Sequence, residues 1–102
     1  MNTTNILPKN VLPGQELVEQ GLADLAQDQL TESALLLLVA APRLRHLGIE
    51  VPLRRFAQPV EHLLYQQIEE RLGVAAHSHY NSLIRRIVSF ARALEGSTTT
   101  AP

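Results

Sequence analysis

The chain has 102 residues, enough for one domain with a single hydrophobic core. Apolar residues make up 45% of the chain, charged residues make up 19%, and the formal net charge is -1, which together exclude an intrinsically disordered chain. There is no cysteine, so a disulfide framework, a thiolate nucleophile and a cysteine-based zinc site are also excluded.

The two ends of the chain lack the periodicity of regular structure. Residues 1–13 are predicted to form an extended N-terminal arm, whose apolar pairs at 6–7 and 11–12 we expect to dock on the domain or on a neighbouring copy. The arm lacks the apolar segment of a signal peptide, and the longest apolar run of the chain has eight residues, against the ~20 that span a bilayer. We therefore expect a cytoplasmic protein with no membrane contact. Residues 97–102 are small and polar and are predicted to be a disordered tail.

The first predicted helix spans residues 14–27, directly after Pro13. Its apolar side chains recur at helical spacing: Leu17, Val18, Leu22 and Leu25. Gly21 lies on the same apolar face, although glycine costs up to about 1 kcal/mol of helix propensity relative to alanine. We expect another helix to cross close to Gly21.

The second predicted helix begins at Thr31, a favourable N-cap residue. Residues 34–41 are all apolar, and a helix that is apolar on every side is buried on every side, either at the centre of a bundle or between subunits. The candidate subunit interface consists of Leu35, Leu36, Leu38 and Val39. Pro42 removes a backbone donor and is expected to kink or break this helix, while Gly48 is predicted to end it.

Two further helices are predicted after a proline-containing connector, at residues 59–73 and 75–95. Four helical segments with short links predict an all-α fold, a compact antiparallel bundle of about four helices in a single domain over residues 14–96. The absence of Trp and the scarcity of β-branched residues disfavour a β-sandwich. A small α+β fold is the alternative, because the apolar run 34–41 could form a buried strand.

Arginine supplies eight of the nine basic residues. Six arginines occur in groups that are candidate contacts for nucleic acid or for an acidic partner: Arg43, Arg45, Arg54, Arg55, Arg85 and Arg86. The first four flank the connector between Pro42 and Pro52. The same side chains could instead pair with acids on neighbouring helices. A net charge of -1 does not favour nonspecific binding to nucleic acid.

The spacing of the histidines, serines and glycines indicates no catalytic, cofactor-binding or metal-binding site. His77 and His79 are two residues apart, and on a helix such side chains point in nearly opposite directions. The serines are not in a nucleophile elbow, and the five scattered glycines form no phosphate-binding loop. We therefore predict no catalytic residue, no cofactor and no metal.

One short motif nevertheless bears on catalysis. Arg71 and His77 are separated by five residues at the predicted junction of the last two helices. This spacing resembles the Arg-x(4–6)-His signature of the HEPN-type helical ribonucleases, which are also small helical bundles. The resemblance covers residues 71–77. It implies that Arg71 would position a phosphate and that His77 would support proton transfer at the 2′-hydroxyl.

The leading hypothesis is a non-enzymatic helical interaction or regulatory module that forms homo-oligomers and can bind a protein partner. Apolar helix packing across a two-fold axis would account for the excess of apolar surface at residues 34–41. A nucleic-acid-associated protein that uses segment 43–55 is the alternative, followed by the HEPN-like ribonuclease. The sequence does not identify the biological process or the partner.

Overall fold

A computed structural model describes residues 12–52 and 54–98. It contains five α-helices, α1 (Gln15–Ala26), α2 (Glu32–Val39), α3 (Ala41–His46), α4 (Val60–Leu72) and α5 (Ala76–Thr98), with a 3₁₀ turn at Gly73–Ala75. There is no strand in the described ranges, so the predicted all-α bundle is confirmed and the α+β alternative is wrong. The last helix continues beyond the predicted end at Gly96. Most of the predicted arm and tail, residues 1–11 and 99–102, lies outside the described residues.

The predicted break of the second helix is confirmed, but it lies at Ala40 rather than at Pro42. The backbone turns at Ala40, with φ -92° and ψ 5°, between the end of α2 and the start of α3. Pro42 is then in the first turn of α3. The first turn tolerates proline because its backbone N–H groups have no partner within the helix. The proline therefore starts a new helix instead of bending the old one.

The end of α3 is a Schellman motif. Gly48 has a φ of 96°, a left-handed conformation that glycine adopts without a side-chain clash. Its N–H donates to the carbonyl of Arg45 at 3.0 Å, and the N–H of Ile49 donates to the carbonyl of Leu44 at 2.9 Å. Leu44 and Ile49 are both buried, so the turn also anchors the start of the connector in the core.

Helix α2 lies at the centre of the bundle, which is one of the two positions that its sequence predicts. It packs against α1 and α4, and α4 packs against α5. Leu36 and Leu37 are completely buried within the single chain, Leu35 is 3% exposed and Leu38 is 9% exposed. Of the candidate interface residues in α2, the structure places Leu35, Leu36 and Leu38 in the core of the single chain, and Val39 is half-buried. The helices of one chain are sufficient to cover α2.

The helices α1 and α2 cross in contact at Gly21, as predicted. A β-carbon placed on Gly21 would lie 2.6 Å from Cγ of Leu37 and 2.7 Å from the carbonyl oxygen of Ser33. Both distances are shorter than van der Waals contact, so only glycine lets the two helices approach this closely. The glycine that weakens α1 as an isolated helix is therefore required by its packing.

The start of α2 is linked to α1 by buried polar contacts. Thr31 is the N-cap, and its hydroxyl oxygen accepts a hydrogen bond from the backbone N–H of Ala34 at 3.2 Å. The same hydroxyl donates to the carboxylate of Asp24 at 2.5 Å. Asp24 is only 8% exposed and also accepts a hydrogen bond from the side chain of Gln20 at 2.9 Å. The buried carboxylate is thus satisfied by two donors.

Candidate functional site

Most of the arginines that the sequence predicts to contact nucleic acid or an acidic partner instead bind groups of the same chain. Three arginines form ion pairs: Arg43 with Glu95 at 3.2 Å, Arg54 with Asp28 at 2.9 Å, and Arg86 with Glu16. Two donate to backbone carbonyl groups: Arg45 to that of Val51 at 3.0 Å, and Arg54 to that of Leu25 at 3.3 Å. Arg55 and Arg85 make no hydrogen bond or ion pair with the described residues. In the segment 43–55, three of the four arginines are therefore already engaged within the molecule.

The exposed surface of α4 and α5 carries charges of both signs. We call it the α4–α5 face and define it by four exposed side chains, Glu61 and Glu69 on α4 and Arg85 and Arg92 on α5. Within residues 12–52 and 54–98, none of the four makes a hydrogen bond or an ion pair. Half-buried apolar residues accompany these charges: Tyr65, Tyr80, Ile84 and Val88. The face therefore combines unpaired charges with partly exposed apolar surface.

An aromatic contact joins α4 and α5 beneath this face. The rings of Tyr65 and Tyr80 are tilted by 59° with centroids 5.4 Å apart, a geometry that is favourable for aromatic pairs. Burial raises the pKa of Tyr80, and the negative charge of Glu61 raises it further. This contact is part of the packing of α4 against α5.

A second polar cluster joins the start of α2 to the end of α4 and the start of α5. Arg71 donates two hydrogen bonds to the carboxylate of Glu32, at 2.7 and 2.8 Å. His79 Nε2 lies 3.3 Å from an oxygen of Glu32 and 3.3 Å from a terminal nitrogen of Arg71. The hydrogen bond from Arg71 is the main cause of the lowered pKa of Glu32. Glu32 also occupies the first turn of α2, where the helix dipole favours a negative charge.

This Glu32–Arg71–His79 cluster borders an open surface cavity of about 530 Å³. The cavity is lined mainly by polar residues from α1, the α1–α2 loop, α2 and α4: Gln20, Asp24, Thr31, Glu32, Ser33, Gln67 and Arg71, together with the apolar Leu30. Glu32 and Arg71 line the cavity, and His79 contacts both of them. An arginine can bind a phosphate, and a histidine can move a proton.

The structure brings Arg71 together with His79 rather than with His77. The contacts of His77 are with Asn81, 3.2 Å away, and with the ring of Tyr65, whose centroid is 6.4 Å away. The two histidines are two residues apart on α5 and therefore point to nearly opposite sides of the helix, toward different neighbours. Sequence reasoning overlooked His79 and Glu32 because Glu32 is 39 residues from Arg71, and no local pattern indicates that they meet.

The described part of the molecule offers neither a metal site nor a membrane-spanning helix. Over the ranges 12–52 and 54–98, no group of three or more His, Asp or Glu side chains is placed to hold a metal ion. In the same part of the chain, no helix is both long enough and apolar enough to cross a membrane. Comparisons with protein-family models, with curated proteins and with solved structures found no match.

Proposed function

We propose that this protein is a non-enzymatic helical interaction module. It acts by binding protein, in the first place other copies of itself. The observation that carries the proposal is the α4–α5 face. Charged side chains elsewhere largely pair within the chain, whereas Glu61, Glu69, Arg85 and Arg92 have no such partner among the described residues. Unpaired charges of both signs next to half-buried apolar side chains are typical of the polar and apolar mixture found in non-obligate protein interfaces.

The same distribution of charge makes binding to nucleic acid the weaker alternative. Affinity for nucleic acid depends on the number of phosphates that basic side chains neutralise. Of the six arginines predicted for that role, four already bind acids or carbonyl groups of this chain. Three unpaired carboxylates on α4, at Glu61, Glu69 and Glu70, would also repel a phosphate backbone.

Native mass spectrometry of the untagged protein, purified at low salt, tests the proposal. We expect a bare oligomer or a complex with another protein in a defined stoichiometry. A chain that carries nucleic acid, and that loses it steeply as salt is raised, would overturn the proposal in favour of phosphate binding. A bare monomer without a protein partner at every concentration tested would also contradict it.

The Glu32–Arg71–His79 cluster favours a second candidate function, cleavage of RNA. Arg71 would bind the phosphate, and His79 rather than His77 would exchange the proton of the 2′-hydroxyl, with Glu32 holding both side chains in place. This candidate ranks second because both donor groups that Arg71 uses here are engaged by Glu32. A phosphate would have to displace that carboxylate.

A cleavage assay on a fluorescent single-stranded RNA separates the two candidates. Ribonuclease activity would require cleavage by the wild-type protein that is lost in both Arg71→Ala and His79→Ala. His77→Ala is the matched control, since that histidine contacts Asn81 and Tyr65 instead of the cluster. Under the interaction-module proposal, we expect no RNA cleavage above background in any of the four proteins.

A further inference from the structure

We infer that helix α5 carries a docking surface for an acidic segment of another protein. The surface consists of Arg85 and Arg92 together with Ser82 and Ser89, and we call it the α5 basic strip. Carboxylates of the partner pair with the two arginines, and the serine hydroxyls donate further hydrogen bonds. The inference rests on the proposed function, which is the binding of protein, and it names a partner other than a second copy of the chain.

The four side chains of the α5 basic strip lie on one side of the helix. Arg85 and Arg92 are seven residues apart, which separates them by about 10.5 Å along the helix and by only about 20° around it. Ser82 and Ser89 lie beside them, so that all four positions fall within about 80°. Arg85, Ser89 and Arg92 are exposed, and Ser82 is half-buried. The strip is therefore a continuous polar surface of about 15 Å in length.

The charge of the strip is not neutralised within its own helix. Glu95 is the one acidic residue of α5, and it forms an ion pair with Arg43 at 3.2 Å. Arg85 and Arg92 make no hydrogen bond or ion pair with residues 12–52 and 54–98. Two guanidinium groups on a surface without an acid attract the carboxylates of a partner, because an arginine can donate two parallel hydrogen bonds to a carboxylate.

Part of the strip borders a surface groove of about 470 Å³ between α5 and the start of α1. The residues that line it from α5 include Ser82, Arg85 and Ser89. Gly14 lines it from the start of α1 and packs directly against α5, since a β-carbon placed on Gly14 would lie 2.7 Å from the carbonyl oxygen of Arg86. The groove therefore gives an acidic segment a concave surface beside the exposed helix.

The groove itself has an excess of positive charge. Glu16 is the acidic residue of its lining, and it forms an ion pair with Arg86, which also lines the groove. These two charges offset each other. Arg85 therefore remains as the unbalanced charge of the groove, and Arg92 continues the positive charge two turns further along α5.

A nucleic acid is a less suitable occupant of the strip than an acidic protein segment. Its affinity depends on the number of phosphates that are neutralised, and the strip offers two guanidinium groups for them. Helix α4 packs beside α5 and carries three exposed carboxylates, at Glu61, Glu69 and Glu70. These repel a polymer with a negative charge on every nucleotide, whereas a short acidic run can be confined to α5.

A second copy of the chain is also a less suitable occupant, because most of its acids are engaged. Ion pairs within the chain take up four of them: Glu16, Asp28, Glu32 and Glu95. Asp24 is buried and accepts hydrogen bonds from two side chains. The free acids of α4 do not form a run, since Glu61 and Glu69 are eight residues apart and point about 80° apart around the helix.

Fluorescence anisotropy with a labelled octaglutamate peptide tests the inference. Its extended chain is about 26 Å long, so it reaches both arginines in several registers. We expect the wild-type protein to bind it with a Kd below about 1 mM at low salt and to release it as salt is raised. Arg85→Glu and Arg92→Glu should each weaken binding by about five- to tenfold, because each replaces an attraction by a repulsion. Arg55→Glu is the matched control, with the same change of charge at an exposed arginine outside α5.

A substitution between the two arginines gives a sharper test. In Ser89→Glu, the new carboxylate lies four residues after Arg85 and three residues before Arg92, and these are the spacings at which side chains of a helix meet. It should neutralise both arginines and weaken peptide binding by about tenfold. Ser89→Gln adds nearly the same bulk without the charge and should keep the Kd within about threefold of wild type. The position is exposed, and circular dichroism verifies that both variants remain helical.

Each outcome decides the inference. It is overturned if the peptide does not bind at about 1 mM protein, if Ser89→Glu leaves binding unchanged, or if Arg55→Glu weakens it as much as the α5 variants do. An RNA octamer that binds more tightly than the peptide, and that the α5 variants release, would overturn both the inference and the interaction-module proposal. If the peptide does not bind but native mass spectrometry shows a bare oligomer or a protein complex, only the acidic partner of α5 is wrong.

Discussion

Substitution of Gly21 by alanine tests the tight crossing of α1 and α2. In an isolated helix, the substitution would favour folding by about 1 kcal/mol, because alanine has the higher helix propensity. In this bundle, the new β-carbon would lie 2.6 Å from Cγ of Leu37 and 2.7 Å from the carbonyl oxygen of Ser33. Leu37 can change its rotamer, but the Ser33 oxygen belongs to the backbone of α2. The two helices must therefore separate.

The packing cost exceeds the gain in propensity. Overfilling a well-packed core costs about 1–3 kcal/mol, and here the displaced atom is backbone, which places the cost in the upper part of that range. After the propensity gain is subtracted, we expect a net loss of about 1–2 kcal/mol in the free energy of unfolding. For a domain of this size, 1 kcal/mol corresponds to a shift of about 4–8 °C in Tm. Thermal denaturation should thus show a Tm lowered by roughly 5–15 °C.

Gly96→Ala is the matched control. Gly96 is also a helical glycine, but a β-carbon there would have no neighbour within 4 Å. Its substitution should raise Tm slightly, by less than the full propensity gain because the last turn of a helix frays. If Gly21→Ala were as stable as the wild type, or if both substitutions shifted Tm in the same direction, the crossing at Gly21 would not be as tight as described.

Two further predictions concern the start of α2. Thr31→Ala removes the N-cap and one of the donors to buried Asp24, so we expect it to lower the free energy of unfolding by about 1–3 kcal/mol in urea denaturation; Thr31→Ser, which keeps the hydroxyl, should lose much less. Glu32→Gln removes the negative charge of the carboxylate to which Arg71 donates two hydrogen bonds. Because the pKa of Glu32 is lowered in the folded state, its carboxylate stabilises the fold above the unfolded pKa of about 4.5, and this contribution disappears as the pH falls through the folded pKa. The stability difference between wild type and Glu32→Gln should therefore be fully present at pH 7 and should shrink as the pH falls below 4.5. A difference that stays constant as the pH falls would show that the charge is not its source.

The local structure of the chain could be predicted from the sequence because its signals act over a few residues. Thr31 as a cap, Gly48 as a helix end and the apolar spacing of α4 and α5 depend on neighbours within about two helical turns. Gly21 belongs to the same class, since a glycine on an apolar helix face indicates a close crossing without naming the partner. The exact position of the helix break could not be predicted from the sequence. Pro42 indicates that the second helix breaks, but the backbone turns at Ala40.

The candidate sites could not be predicted from the sequence, because they form through contacts between residues that are far apart in it. An exposed cluster of arginines and an arginine paired with an acid look alike in sequence, and only the packing of the helices brings Glu95 to Arg43 or Glu16 to Arg86. The same holds for His79, which meets Arg71 and Glu32 because α2, α4 and α5 converge there.

The sequence by itself therefore determined where the helices lie, which faces are apolar and that α2 is apolar on every side, because propensity, capping and periodicity are local properties of the chain. The tertiary structure alone decided that the leucines of α2 are covered within one chain, and that Glu61, Glu69, Arg85 and Arg92 have no partner among the described residues. Burial and charge pairing are set by which helix packs against which, and an apolar stripe is equally able to pack within a chain or between chains.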